Sequence, residues 1–466
     1  SSLHLLHTQP DARLLAAWVA RHHTRRERQP SDLGDALHGL LRAAFGEAAP
    51  QPFRYLDERQ GLLAYTALDA EALRMQVALA DPLAAQTLGL GANGQHDGYR
   101  LRPFPTQWPQ GHVLGFEVRV RPTVRAAKGE RDAFLHAVEQ AAQAGHWCLG
   151  WLRYEAALAF DAAFADALHA PPAGEPLAWF GVHGQALDFE QPGAARPQPR
   201  AHWRPGMARA AFDAALAEIL AAIAAGDCYQ VNFTAQLRGQ LQGQGDAAAL
   251  FAALRKAQPM GYVAAIDSGA DQVLSVSPEL FFDWDGERIL TRPMKGTAPR
   301  GATPAEDAAR AEAMRASPKE RAENVMIVDL LRNDLSRIAL PHSVQVPRLF
   351  HAEALPTVWQ MTSDVVARTR PEVQLADVFR ALFPCGSVTG APKRQAMRWI
   401  HRLESGPRGV YCGAVGVVRP GAAAGRVHAC FNVPIRTVVA RGGELSCGIG
   451  SGITASSSAG AEWQEW

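Results

Sequence analysis

Lysine is nearly absent from this 466-residue chain: of 47 basic side chains, only Lys128, Lys256, Lys295, Lys319 and Lys393 are not arginine. Arginine cannot lose its proton near neutrality, so a retained lysine is a candidate for nucleophilic chemistry. Cysteine is scarce too. Cys148, Cys228, Cys385, Cys412, Cys430 and Cys447 form no C-x-x-C pair and have no histidine at metal-ligand spacing. That excludes a zinc module and argues for small buried side chains in a reducing compartment. Net charge is +1, too small a surplus to draw the whole surface toward nucleic acid or anionic lipid, so any anion site must be local. No apolar run reaches the ~18 residues of a membrane span, and the start lacks a basic segment followed by an apolar stretch. A cytoplasmic protein with no membrane association is expected. What is present is globular composition, 47% apolar and 20% charged, in a chain long enough for two domains or one two-lobed domain.

From Leu3 to about Leu135, amphipathic stretches such as Ala12 to His22 and Leu33 to Phe45 alternate with short apolar runs such as Gly61 to Tyr65. Asp32 offers an N-cap to the second of these helices. Phe116, Val118 and Val120 alternate with charges along Leu114 to Pro122, a strand expected to close a small α+β module. A new pattern starts near Ala137. An alanine-rich helix over Met207 to Ala225 is expected to stop at Gly226 and lead into a strand through Cys228 to Thr234.

Two glutamate pairs share one spacing: Glu320 and Glu323, and Glu462 and Glu465. On helices each pair occupies one face, and two such faces together would suit a hard, oxygen-seeking cation such as magnesium. A solvated helix face gives the same spacing. Glu279, in Ser275-Val-Ser-Pro-Glu279-Leu-Phe-Phe282, places a carboxylate in an apolar strand, where a raised pKa would suit it to protonate a leaving hydroxyl. A satisfied edge carboxylate at a turn is the plain structural reading. Lys295 lies in a Pro/Gly-bounded loop, Arg292-Pro-Met-Lys295-Gly-Thr297, with Arg292 as a cationic neighbour; the alternative is a solvent-exposed lysine. Phe383 to Arg394 and Gly448 to Gly452 are glycine-rich turns able to aim N–H groups at an anion, yet neither matches a P-loop or dinucleotide fingerprint. Tyr411 and Arg436 offer a hydroxyl donor and a bidentate fork for a carboxylate.

In order along the chain, Gly226-Asp-Cys-Tyr-Gln-Val-Asn-Phe233, Ser277-Pro-Glu279, Pro293-Met-Lys-Gly-Thr297, Asp329-Leu-Leu-Arg-Asn-Asp334 and Gly448-Ile-Gly-Ser-Gly452 resemble the chorismate-utilising enzymes. That family includes anthranilate, aminodeoxychorismate, isochorismate and salicylate synthases. The likeness covers about Ala137 to Trp466 and implies the layered α+β sheet fold of anthranilate synthase component I over residues 136–466. It implies Mg2+ held directly by Glu323 and Glu465 and through water by Glu320 and Glu462. It implies Glu279 as general acid, with Thr389, Tyr411, Arg436 and the Gly450, Ser451 and Gly452 backbone on the substrate carboxylates. Family members that add water carry a lysine base where this chain has Gln230, so ammonia is the expected nucleophile, supplied by a glutamine amidotransferase subunit. Lys295 stands where anthranilate synthases resemble P-I-A-G-T, which favours the aminodeoxychorismate branch, with anthranilate synthase as the alternative. Gln360 departs from the histidine of many relatives.

Residues 1–135 instead resemble the N-terminal half of a CasE-type CRISPR repeat endoribonuclease, notably at Asp32 to Leu41, Pro50 to Arg54 and Leu114 to Pro122. A ferredoxin-like α+β module follows from that resemblance, with His38 at the position of the nuclease's acid/base and RNA as an alternative partner.

Overall fold

The computed structural model describes residues 4–22, 33–50, 53–57, 61–91, 99–103, 113–116, 128–172, 174–184, 186, 200–242, 247–258, 261–423 and 425–466. Two compact units divide between Gln110 and Gly111.

The first unit runs β1 (His4–Thr8), α1 (Ala12–His22), α2 (Leu33–Phe45), β2 (Phe53–Asp57), β3 (Gly61–Thr66), α3 (Ala70–Leu79), α4 (Pro82–Thr87) and β4 (Tyr99–Pro103). Its sheet has the order β2-β3-β1-β4, every pair antiparallel. Leu37, Leu40, Leu41 and Phe45 recur at three- and four-residue spacing on α2 and bury against Leu6, Leu62, Leu73 and Leu88. Each such side chain is worth roughly 1.5–3 kcal/mol of apolar burial. Asp69 and Asp81 cap α3 and α4 by accepting from backbone N–H groups. His38 lies on α2, but its side chain, like the Asp32 cap, falls outside the described residues.

The larger unit opens with β5 (Val113–Phe116), α5 (Lys128–Gln143), β6 (Trp147–Leu152), α6 (Ala157–Phe160), β7 (Ala178–His183), β8 (Arg200–Arg204), α7 (Arg209–Ala224), β9 (Gln230–Gln242) and α8 (Ala247–Ala257). Its division from the first unit comes earlier than the expected boundary near residue 135. The difference includes β5, which pairs with β7 in the larger unit's sheet. Backbone pairing across distant sequence decides that membership, and local alternation cannot report it.

The chain continues through β10 (Tyr262–Asp267), β11 (Gln272–Ser277), β12 (Leu280–Trp284), β13 (Arg288–Arg292), β14 (Met294–Pro299), α9 (Pro304–Ala316), α10 (Pro318–Ser336), β15 (Gln345–Ala354) and β16 (Val358–Arg368). It ends with α11 (Leu375–Leu382), β17 (Gly390–Ala391), α12 (Lys393–Leu403), β18 (Ala414–Pro420), β19 (Val427–Asn432), β20 (Thr437–Arg441), β21 (Glu444–Thr454) and α13 (Ala459–Glu465). One sheet has the order β10-β11-β20-β21-β9-β17, with β8 also on β9. The other runs β14-β16-β13-β12-β19-β18-β6-β7-β5, with β15 also on β16. Phe281, Phe282, Phe379, Phe383 and Phe431 meet edge-on or tilted with centroids 5.1–6.1 Å apart, locking α11 to β12 and β19.

The expected stop after α7 is present. Gly226 adopts φ +83°, and the N–H groups of Gly226 and Asp227 close on Ile223 and Ala222 carbonyls at 3.0 Å. The chain then turns into β9, whose long pairing with β21 sets Thr454 opposite Gln230, Gly452 opposite Asn232 and Gly450 opposite Thr234.

Candidate functional site

Strand alternation places Gln230, Asn232, Thr234 and Gln236 on one face of β9, beside Thr454, Gly452, Gly450 and Gly448 on the same face of β21. The glycines strip that face of side chains. A Cβ at Gly452 would lie 2.7 Å from Gln230 Nε2 and 3.0 Å from Lys295 Nζ, so the amide and the ammonium converge over it.

Lys295 reaches that point from a β-bulge. β14 and β16 pair at Met294↔Thr362 and again at Thr297↔Gln360, leaving an extra residue on β14 at Lys295–Gly296. Gly296 takes φ +94°, a conformation open to glycine. Arg292, the cationic neighbour expected from the sequence, is an ion-paired one. Its guanidinium is held bidentately by Asp364, at 2.6 and 3.0 Å, which neutralises it. The Lys295 ammonium in turn partly opposes the raised pKa values of Glu279 and Glu323.

Glu279 sits between β11 and β12 and is buried, with Oε1 lacking any partner. Burial pushes its pKa up to about 7, with Ser387 and the Lys295 ammonium partly opposing the shift. Gln230 is fully buried with neither Oε1 nor Nε2 hydrogen-bonded. A buried amide orphaned at both ends costs stability unless a bound molecule satisfies it.

Glu320 and Glu323 stand on the first turns of α10, which Ser317 caps and Pro318 starts. Burial raises the Glu323 pKa, Lys295 and Lys319 oppose this, and the neighbouring Glu320 charge adds to it. Thr454 donates to Glu323 Oε1 at 3.4 Å. Glu462, on α13, is buried and accepts from the Ser451 hydroxyl at 2.5 Å. The side chain of Glu465 lies outside the described residues, among which no three His, Cys, Asp or Glu side chains are grouped to hold a metal.

The expected carboxylate-binding residues divide. Thr389 is buried, its hydroxyl donating to the Cys385 and Gly386 carbonyls, while its own carbonyl accepts from Asn232 N–H beside the Gln230 face. Tyr411 is buried with its ring flat on Gly448, where a Cβ would come within 2.1 Å of it. Arg436 is exposed, takes φ +49° and donates to Gln258 at 2.6 Å; no described contact joins it to the Lys295 group. A cavity lined by Arg153, Asp271, Tyr411, Arg441 and Gly448 opens at the other end of the same strands. It is not at the Lys295 cluster, and Asp271 already pairs with Arg153 at 3.0 Å and Arg441 at 2.5 Å.

Three contributors escaped sequence reasoning: Ser387 beside Glu279, Thr454 on Glu323, and Asn324, whose Oδ1 accepts from Ser363 at 2.6 Å. Only Asn324 left a signal, a polar residue directly after Glu323 in an apolar stretch. The raised Glu279 pKa carries a prediction. Acting as an acid, Glu279 must be protonated, so single-turnover loss of the substrate hydroxyl should decline as pH rises through about 7. Glu279→Gln should remove that limb and slow the step by ~10²- to 10⁴-fold. An unchanged pH profile in the variant would rule Glu279 out.

A family profile for chorismate binding enzymes matches residues 190–466, and one for CRISPR associated protein matches residues 9–163. The second is to CRISPR-associated proteins in general and does not reach the narrower nuclease resemblance. The chain is 43% identical over 269 residues to aminodeoxychorismate synthase component 1 of Klebsiella aerogenes, covering 56% of this chain and 57% of that protein. Against the Escherichia coli K12 protein of the same name it is 38% identical, covering 56% of each. Anthranilate synthase component 1 of Streptomyces coelicolor is also 38% identical, over 56% of this chain and 50% of its own length. The chain thus spans about half the length of the curated relatives it matches. The crystal structure of anthranilate synthase component I from Streptococcus pneumoniae TIGR4 superposes with a TM-score of 0.63 at 22% identity, covering 83% of this chain and 95% of that one. That likeness establishes the layered α+β fold.

Proposed function

The chain belongs to the chorismate binding enzymes, and from that premise we propose that it aminates chorismate to 4-amino-4-deoxychorismate, a step toward p-aminobenzoate and folate. The observation that carries the reading is the convergence of Lys295 and the orphaned Gln230 amide over Gly452, with Glu279 within electrostatic reach of the lysine. Overall identity separates the branches little, at 43% and 38% to aminodeoxychorismate synthases against 38% to an anthranilate synthase. The branch must therefore be argued from Lys295, which gives the para reaction a nucleophile. Gln230 neither gains nor loses a proton near neutrality, which suits ammonia, a nucleophile needing no base.

Ammonia is supplied, in this reading, by a separate amidotransferase subunit, in keeping with the relatives' designation as component 1. The chain's own thiols are poor candidates for a glutaminase nucleophile, since burial raises Cys148, Cys228, Cys385, Cys412, Cys430 and Cys447 above the usual thiol range. The test is turnover by the purified chain. Ammonium salts should sustain amination and glutamine should not; glutamine serving equally well would overturn the division of labour.

Magnesium suits the oxygen donors of Glu320, Glu323 and Glu462, joined in this reading by Glu465, and would neutralise carboxylates facing an anionic substrate. The order β2-β3-β1-β4, with helices between β1 and β2 and between β3 and β4, supports reading the N-terminal unit as ferredoxin-like. RNA processing through His38 is the second reading, favoured by the match over residues 9–163. No described helix is long and apolar enough to cross a membrane, and a cytoplasmic setting fits the unpaired thiols.

A further inference from the structure

A β-bulge removes backbone groups from the ladder, and the one at Lys295–Gly296 needs something to take up the carbonyl it displaces. Gln360 does so from the opposite strand. Its Nε2 donates to the Gly296 carbonyl at 2.8 Å and its Oε1 accepts from the Thr297 hydroxyl at 3.1 Å, so one buried amide bridges both residues after the lysine. The ladder holds Met294 before the bulge and Thr297 after it. Between them, the lysine's side chain is directed to the point over Gly452. We infer that Gln360 is a positioning residue for Lys295, fixing the bulge that aims its ammonium at the face formed by Gly452 and Gln230. The inference rests on the amination reading for its consequence in turnover, though not for its geometry.

The donor and acceptor complement decides which substitutions succeed. Methionine matches the length of Gln360 but offers no N–H and only a weak acceptor. Glutamate keeps the acceptor for Thr297 while setting a carboxylate against the Gly296 carbonyl. A neutral histidine has one donor and one acceptor nitrogen and can serve both partners.

The experiment compares parent, Gln360→Met, Gln360→Glu, Gln360→His and the milder Thr297→Val. Two readouts are used: steady-state amination with ammonia, and acylation of Lys295 by a small amine-reactive ester, mapped by peptide mass spectrometry. Misplacing a reacting group by about 1 Å costs up to ~100-fold, so Gln360→Met and Gln360→Glu should lose at least ~10-fold in kcat while KM for chorismate stays within about twofold. Gln360→His should recover most of that loss, and Thr297→Val should fall between. The Lys295 acylation rate, which needs no turnover, should differ at least ~3-fold between parent and Gln360→Met. Parent-like kcat in Gln360→Met, or KM rising as kcat falls, overturns the inference, as does unchanged acylation of Lys295 in a variant with parent-like melting. Failure of the amination reading would show separately, as a parent that gives no aminated product while its Lys295 acylation still responds to Gln360.

Discussion

Glu323→Gln should abolish measurable chorismate binding, and chelation of magnesium from the parent should do the same. Glu323 is mostly buried on α10, its pKa raised first by desolvation and further by the adjacent Glu320. Lys319, at 4.0 Å, and Lys295 offset only part of that charge. Glu462, on α13, accepts from the hydroxyl of Ser451, the residue before Gly452 on β21. Chorismate is a dianion, and bringing it toward such a group without a counter-cation sets like charges together at low dielectric. A divalent cation on the Glu320 and Glu323 oxygens would reverse the balance, and removing one ligand usually costs more than the ~10- to 100-fold lost when an outer partner is removed. Calorimetry with chorismate and magnesium should therefore show no binding heat for Glu323→Gln, and smaller losses for Glu320→Gln and Glu462→Gln. Parent-like affinity in Glu323→Gln, or binding that survives complete chelation, would remove magnesium from this account.

Local chemistry was legible where it acts locally. The Gly226 stop and the shared helix face of Glu320 and Glu323 both follow from neighbours in sequence. Glu279 was legible as a carboxylate among apolar residues because burial alone raises its pKa. Pairing between distant strands was not legible. The bulge at Lys295 exists because β14 runs one residue long against β16, and Arg292 is neutralised because Asp364 stands on that same partner strand. Gln360 stood out in the sequence only as a departure from the histidine of many relatives, since its partners are a carbonyl and a hydroxyl that only the bulge presents. The strand β5 resembled the close of one module and lies in the sheet of another. A one-strand assignment of that kind depends on which edge is free to accept it.

Lys295→Ala should lose at least ~100-fold in aminodeoxychorismate formation while chorismate still binds, because the substitution deletes the attacking group and leaves the carboxylates intact. In the proposed mechanism the lysine would attack as its free amine, and Glu279, protonated below its raised pKa of about 7, would supply the proton to the leaving hydroxyl. In that mechanism the lysine lone pair would form the new C–N bond as the C–O bond breaks onto oxygen, which would take the Glu279 proton and depart as water. Ammonia would then attack the ring, the lysine would leave as its free amine, and the proton released from the incoming nitrogen would return to the Glu279 carboxylate. Gln230 Nε2 lies over Gly452 and its Oε1 is likewise without a partner, so both ends of this amide are available to hydrogen-bond a bound molecule. Arginine at 295 should be as inactive as alanine, since it keeps the charge and cannot lose the proton. Mass spectrometry of the parent mixed with chorismate and magnesium, without ammonia, should show an adduct on Lys295 that ammonium salts discharge. Any residual product from Lys295→Ala should include the ortho isomer, formed by direct attack of ammonia. Undiminished para product from Lys295→Ala, with no adduct on the parent, would end the nucleophile role and make direct amination, as in an anthranilate synthase, the better account of this site.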